Sequence, residues 1–239
     1  MMRANDMRGI LAALAFGISG LAGAVSAQQS VVVVELYTSQ GCSSCPAADE
    51  LLTEMAQQDN VLALGLHVDY WDYLGWKDDL AKPEFTERQA RFNTIMKSRY
   101  RLVTPQMIFH GQDYVAGAKR AKALEYLAMF ADAPESAVLD IRRAGDMVQI
   151  SLKPQTGKSV PSDLHVVEFT PAVPVNIKKG ENAGRQIVYT NTVTAWNTVA
   201  QWDGTNPLEL NHPIRSDQEI AVIVQTQNLG PVLVARRLN

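Results

Sequence analysis

Val31-Val32-Val33-Val34-Glu35-Leu36-Tyr37-Thr38-Ser39-Gln40-Gly41-Cys42-Ser43-Ser44-Cys45-Pro46 passes from a strand pattern into a helix start. Val31 to Leu36 is a continuous run rich in β-branched residues, as a buried parallel strand requires. Pro46 suits a first helical position, because its fixed φ is helical and its missing N–H would be unpaired there anyway. Ala48, Leu51, Leu52 and Met55 then recur at helical spacing, and Asp59-Asn60 ends the segment. Cys42 and Cys45, the chain's 2 cysteines, therefore sit where a strand hands over to a helix. At that spacing they can close a disulfide or share a soft metal ion.

Working outward, Val61 to Val68 reads as a second strand with Leu62, Leu64, Leu66 and Val68 on one face. His67, Asp69 and Trp71 share the other parity, because side chains alternate along a strand. Pro83 opens a second helix in which Phe85, Gln89, Phe92 and Met96 follow one face. Met107 to Phe109 is a short strand, Gly111-Gln112-Asp113 turns into Tyr114-Val115, and Ala121, Leu124, Leu127 and Ala128 mark a third helix.

The pattern changes around Ala133-Pro134-Glu135. Beyond it, Val138–Ile141, Met147–Leu152, Leu164–Phe169, Gln186–Val193, Ile220–Thr226 and Val232–Ala235 read as strands, separated by Gly-containing turns. Short strands at this density predict a β-sandwich. The expected division is a leader at 1–27, an α/β domain at 28–133 and an all-β domain at 134–239.

The leader is expected from Arg3 and Arg8, the apolar run Ile10 to Ala24, and the small residues Val25-Ser26-Ala27 before Gln28. It implies a periplasmic or secreted protein with no membrane attachment after cleavage. In an oxidising compartment two thiols this close form a disulfide unless a reductant or metal intervenes. Net charge is −3, with no basic run or stripe, which argues against nucleic acid as a partner. No nucleotide-binding glycine loop, zinc-protease helix or nucleophile elbow is present in the sequence.

The physical case for redox chemistry rests on the helix start. Unpaired amide protons and the positive end of the macrodipole stabilise a thiolate there. Cys42 is expected to be the exposed nucleophile and Cys45 the buried resolving thiol. Asp49 and Glu50 act the other way, since nearby negative charge raises a thiol pKa.

The order strand, CxxC, helix, strand, helix, Thr104-Pro105, strand, strand, helix looks like the thioredoxin fold. That resemblance implies a cis Pro105 opposite the dithiol, with the Thr104 backbone presented to a bound peptide or mixed disulfide. A closer match is carried by Leu36 to Pro46, by His67-Val68-Asp69-Tyr70-Trp71-Asp72-Tyr73-Leu74-Gly75-Trp76, and by Thr104-Pro105-Gln106-Met107. Together with Gly180-Glu181-Asn182 and Gly184-Arg185, these resemble the secreted family called domain of unknown function 1223. The resemblance implies an α/β thioredoxin-like N-terminal domain followed by an all-β, sandwich-like C-terminal domain. It brings no established substrate. Two departures from ordinary thioredoxins weigh against general protein-disulfide reduction: no tryptophan precedes Cys42, and Ser43-Ser44 contains no proline.

The expected activity is thiol–disulfide exchange through Cys42 and Cys45 on a thiol- or disulfide-containing protein or a small thiol, with no cofactor required. Glu35, in an otherwise apolar strand, is a candidate acid for the resolving thiol or, equally, a structurally paired carboxylate. Thr104, Pro105, Trp71 and Trp76 are the candidate substrate surface. A different class of function is a Cu(I) or Zn carrier using Cys42, Cys45 and His67. A third is a binding protein whose CxxC is a permanent staple.

Overall fold

In the computed structural model, which describes residues 31–155 and 160–238, the valine-rich run forms β1 (Val32–Thr38), buried on both faces. The expected leader lies outside the described residues. Helix α1 (Pro46–Met55) follows, and β2 (Val61–His67) returns parallel to β1 with Val32 opposite Val61 and Thr38 opposite His67. Helix α2 (Pro83–Ile95), the antiparallel pair β3 (Gln106–Phe109) and β4 (Asp113–Ala116), and helix α3 (Arg120–Ala131) complete this half.

The other half is built of strands: β5 (Ala137–Ala144), β6 (Met147–Pro154), β7 (Ser162–Asn176), β8 (Gln186–Trp202), β9 (Leu208–Pro213), β10 (Glu219–Thr226) and β11 (Val232–Arg237). Four of them join the first half in an eight-stranded mixed sheet ordered β11-β10-β7-β8-β2-β1-β3-β4. The junction is a parallel pairing of Gly65 in β2 with Thr192 in β8. A three-stranded sheet, β5-β6-β9, packs beside the β7, β10 and β11 end.

This overturns the expected fold class. An α/β thioredoxin-like domain followed by a separate all-β sandwich is not what forms. Of the described residues 44% lie in strands and 19% in helices, and one large mixed sheet runs through both halves. The cores follow the sheet. One cluster joins Val33, Tyr37, Leu64, Leu66, Phe85 and Phe92 to Val167, Phe169, Val193, Ala221 and Ile223 from the far half. A second lies under α1 and α3, with Val32, Val34, Leu36, Leu52, Met55 and Phe109. Full burial of each such Val, Leu or Phe contributes roughly 1.5–3 kcal/mol, so the shared cluster binds the two halves strongly.

Two local readings also change. The buried face of α3 is Ala123, Leu127 and Phe130, with Leu124 exposed, so the apolar stripe is rotated from the expected one. Strands β7 and β8 run well past their expected ends, through Pro171 and Pro174 in β7. Beyond Phe169, β7 pairs only with β8, so its other side is a free edge, where a proline's missing N–H is tolerated.

Candidate functional site

The loop from Ser39 to Cys45 closes on itself before α1 begins. Cys42 N–H donates to Ser39 O and Cys45 N–H to Cys42 O, both at 3.2 Å, and Gly41 N–H donates to Ser39 Oγ at 3.1 Å. Cys42 and Cys45 are joined as a disulfide with a Cα–Cα span of 5.4 Å. Cys45 is the N-cap residue of α1 and Pro46 the first helical residue. The expectation of an exposed Cys42 does not match its placement: its exposure is 2%, that of Cys45 is 0%, and Ser43 and Ser44 are the exposed pair between them. Ser44 Oγ lies 3.4 Å from Cys42 Sγ.

The cover comes from the turn between β7 and β8. Asn182 Nδ2, buried, donates to Gln40 O at 2.9 Å and to Cys42 O at 2.8 Å. Ser43 N–H donates to Glu181 Oε2 at 3.2 Å, and hydrogen bonding from Ser43 holds the Glu181 carboxyl below its ordinary value.

The loop is fixed from beneath by Asp78. Its carboxylate accepts from Gln40 N–H, Gln40 Nε2 and His67 Nδ1 at 2.8 Å each, and from Leu80 N–H at 3.0 Å. Four donors saturate the carboxylate, so His67 donates from Nδ1 and its tautomer is set by that bond. The His67 Nε2 atom is then left buried without a protein partner. His67 therefore faces Asp78 rather than the sulfurs. Among the described residues no group of three or more His, Cys, Asp or Glu side chains converges in a way that could hold a metal.

Trp71, Trp76, Thr104 and Pro105 gather around the same loop. Trp71 Nε1 donates to Thr104 Oγ1 at 2.7 Å, and Trp76 Nε1 donates to Gln40 Oε1 at 2.8 Å. A Cβ at Gly41 would stand 3.1 Å from Trp71 Cβ and 3.5 Å from Trp71 O, so the Trp71 backbone and Cβ pack directly on the cysteine loop. The Thr104–Pro105 peptide bond is cis. Behind it, Gln89 Nε2 on α2 donates to Val103 O at 2.6 Å and Gln106 Oε1 at 2.8 Å, fixing the segment. Tyr73, at 78% exposure, stands out from the short 3-10 turn Asp72–Leu74.

Glu35 is placed differently. It shares strand parity with Val33 and Tyr37, whose face packs against α2, whereas α1 covers the Val32, Val34 and Leu36 face. Its carboxylate accepts two hydrogen bonds from Arg88 at 2.8 Å each and one from Tyr37 OH at 2.9 Å. It is ion-paired to Arg88 and lies on the opposite face of the sheet from the disulfide helix.

Nothing in the sequence pattern assigns a role to Gln40, Asp78 or Asn182, and Asp49 reads there only as an adverse charge. Asp49 carried a usable signal. It lies four residues after Cys45, within the apolar stripe of Ala48, Leu52 and Met55, where a carboxylate is out of place. It is buried, accepts from Thr38 Oγ1 at 2.7 Å, and its Oδ2 has no protein partner. Burial pushes its carboxyl up to about 7, against the lowering influence of the Thr38 hydroxyl and His67.

The family described as "Protein of unknown function (DUF1223)" matches residues 33–225. Among solved structures, the crystal structure of protein AGR_C_4864 from Agrobacterium tumefaciens is 35% identical, with a TM-score of 0.76 over 89% of this chain and 96% of that one. HBP35 of Porphyromonas gingivalis is 16% identical, with a TM-score of 0.62 over 87% of this chain and 74% of that one, a likeness of fold alone. No curated protein matches the chain.

Proposed function

The chain belongs to the DUF1223 family, and on that footing we propose that it is an exported thiol–disulfide oxidoreductase acting through Cys42 and Cys45. The observation that carries this reading is the setting of the disulfide. It ends at the N-cap of α1, and Trp71 ties Thr104 to the same loop. A helix N-terminus stabilises the thiolate that thiol–disulfide exchange requires. Half-buried Trp71 and Trp76 offer aromatic surface to a partner protein or small thiol, with Thr104 and Pro105 buried behind them as the backbone such a partner would reach once the loop shifts.

In the proposed reaction the Cys42 thiolate attacks one sulfur of a partner disulfide, breaking that S–S bond, expelling the other sulfur as a thiolate and leaving a mixed disulfide on Cys42. Cys45 then attacks Cys42 Sγ, re-forming the internal disulfide and releasing the partner as a thiolate. The reverse sequence oxidises a partner dithiol. Because Cys42 is nearly inaccessible, approach to its sulfur needs the 180–185 turn to lift or an exposed Ser43-Ser44 edge to shift.

The same burial favours a second reading, a structural disulfide that fastens α1 to the sheet and to the β7–β8 turn. The reduction potential separates the two. Equilibration in thiol redox buffers is expected to give a value above about −300 mV, the level below which structural disulfides lie. Cys45→Ser is expected to accumulate mixed disulfides on Cys42. A lower potential together with no captured partner would overturn the oxidoreductase reading.

A further inference from the structure

Asp49 stands one helical turn after Cys45, and its N–H donates to Cys45 O at 3.0 Å. Residues four apart lie on the same helix face, and helical side chains lean back over the preceding turn. Asp49 thus shares a helix face with Cys45, one turn further along α1. Both residues are buried, at 6% and 0% exposure.

Carboxylates in such surroundings normally have every oxygen satisfied. Here only Oδ1 is, by Thr38, and Oδ2 has no protein partner. Three more buried polar atoms without protein partners come from the facing sheet: His67 Nε2 on β2, and Tyr189 OH and Thr192 Oγ1 on β8. His67 and Tyr189 meet edge to face at 4.5 Å between ring centroids. The charged and titratable groups around Asp49 are Glu50 on its own helix, His67 on β2, Asp78 below the loop, Tyr189 on β8 and Arg185 across the groove. Asp49 also lines a groove of about 310 Å3 with Pro46, Glu50, Thr53 and Arg185, which opens a path to solvent.

We propose that Asp49 is the proton acceptor for Cys45 in the resolving step of the dithiol reaction. The assignment rests on the oxidoreductase reading and extends it to a residue that reading does not use. As Cys45 attacks the mixed disulfide, its thiol proton passes to the Asp49 carboxylate and its electron pair forms the bond to Cys42 Sγ. The bond from Cys42 Sγ to the partner sulfur breaks, and the partner leaves as a thiolate with that electron pair. Cys45 is oxidised from thiol to disulfide, and the partner sulfur is reduced from disulfide to thiolate. The proton on Asp49 then leaves through the groove. Burial that holds the carboxyl near neutrality matches it to this exchange, because a general base works best with a pKa close to the operating pH.

The test uses reduced protein and 5,5′-dithiobis(2-nitrobenzoate). One nitrothiobenzoate is released when Cys42 is captured, and a second when Cys45 displaces the first adduct. In the wild type the second phase is expected to accelerate through pH about 7. In Asp49→Asn that inflection disappears and the second phase slows at least about ten-fold at pH 8, within the usual reach of general-base catalysis. The first phase should stay within about two-fold, and circular dichroism should report an unchanged fold. Thr38→Val removes the hydroxyl that lowers the Asp49 pKa, so its inflection should move to higher pH. An unchanged second phase in both variants would overturn the assignment while leaving the oxidoreductase reading intact. Absence of the first phase in the wild type would overturn that reading, and the role of Asp49 with it.

Discussion

Asn182 Nδ2 donates to the backbone carbonyl of Cys42 at 2.8 Å, joining the turn between β7 and β8 to the disulfide loop across most of the chain. The same nitrogen also holds Gln40 O. One buried side chain therefore closes the disulfide loop from the half of the molecule that carries no cysteine.

Asn182→Ala leaves two buried carbonyls without that donor. The expected cost is about 1–3 kcal/mol, the usual penalty for stranding a buried polar group. Chemical denaturation measures it. The disulfide should also be reduced several-fold faster by dithiothreitol. A variant with unchanged stability and unchanged reduction rate would show that the turn does not restrain the loop.

Asp49 makes stability depend on pH in a defined direction. Its folded pKa, pushed up by burial to about 7 from an ordinary 3.8, means that the folded state holds a proton the unfolded state has lost. Its contribution is complete below about 4 and is lost as pH rises through 7. His110 and His165 act in the opposite sense. Burial lowers them to about 4 and about 3, so their contribution is present above pH 6.5 and lost on acidification. The prediction is therefore a difference: Asp49→Asn becomes progressively more stable relative to wild type between pH 4 and 7. Parallel stability curves for the two proteins across that range would contradict it.

Arg88 and Glu35 form a buried ion pair on the α2 face, and Arg88 also stacks on Trp196 at 3.8 Å from the ring centroid. Arg88→Met is expected to cost about 3–5 kcal/mol, because it strands the Glu35 carboxylate. Adding Glu35→Gln should recover much of that loss. Since this pair lies across the sheet from α1, neither nitrothiobenzoate phase should change its pH profile. A shifted profile in Glu35→Gln would return Glu35 to the dithiol chemistry.

Gly65 sits where β2 meets β8, and a Cβ there would come 3.2 Å from Thr190 O and 3.7 Å from Leu52 Cδ2. Gly65→Val overpacks this seam and is expected to cost about 1–3 kcal/mol. If the eight-stranded sheet unfolds as a unit, urea unfolding by fluorescence and by circular dichroism shifts as one coincident transition. Two separated transitions would mean that the halves fold independently.

Much of the local structure is legible in the residues. The β1–loop–α1 handover, the Leu62, Leu64, Leu66 and Val68 face, the Ala48, Leu51, Leu52 and Met55 stripe and most strand positions follow from periodicity. In the candidate site, the cysteines, Trp71, Trp76 and Thr104 are legible too, through motif and resemblance. Glu35 is less so. Parity places it opposite α1, but an acidic residue in an apolar strand reads equally as a proton acceptor or as half of an ion pair until Arg88 is seen beside it.

Which faces are apolar, where strand gives way to helix, and that two thiols stand at that junction can be read from the residues alone. Those are properties of a few consecutive residues, set by side-chain alternation and by backbone capping. The folded chain alone settles that β8 joins β2, making one sheet of two expected domains, that Asn182 and Asp78 hold the cysteine loop, and that Asp49 is buried against Thr38. An apolar pattern records that a surface must be covered, not which distant segment covers it. That choice is made by packing and hydrogen-bond satisfaction over the whole chain.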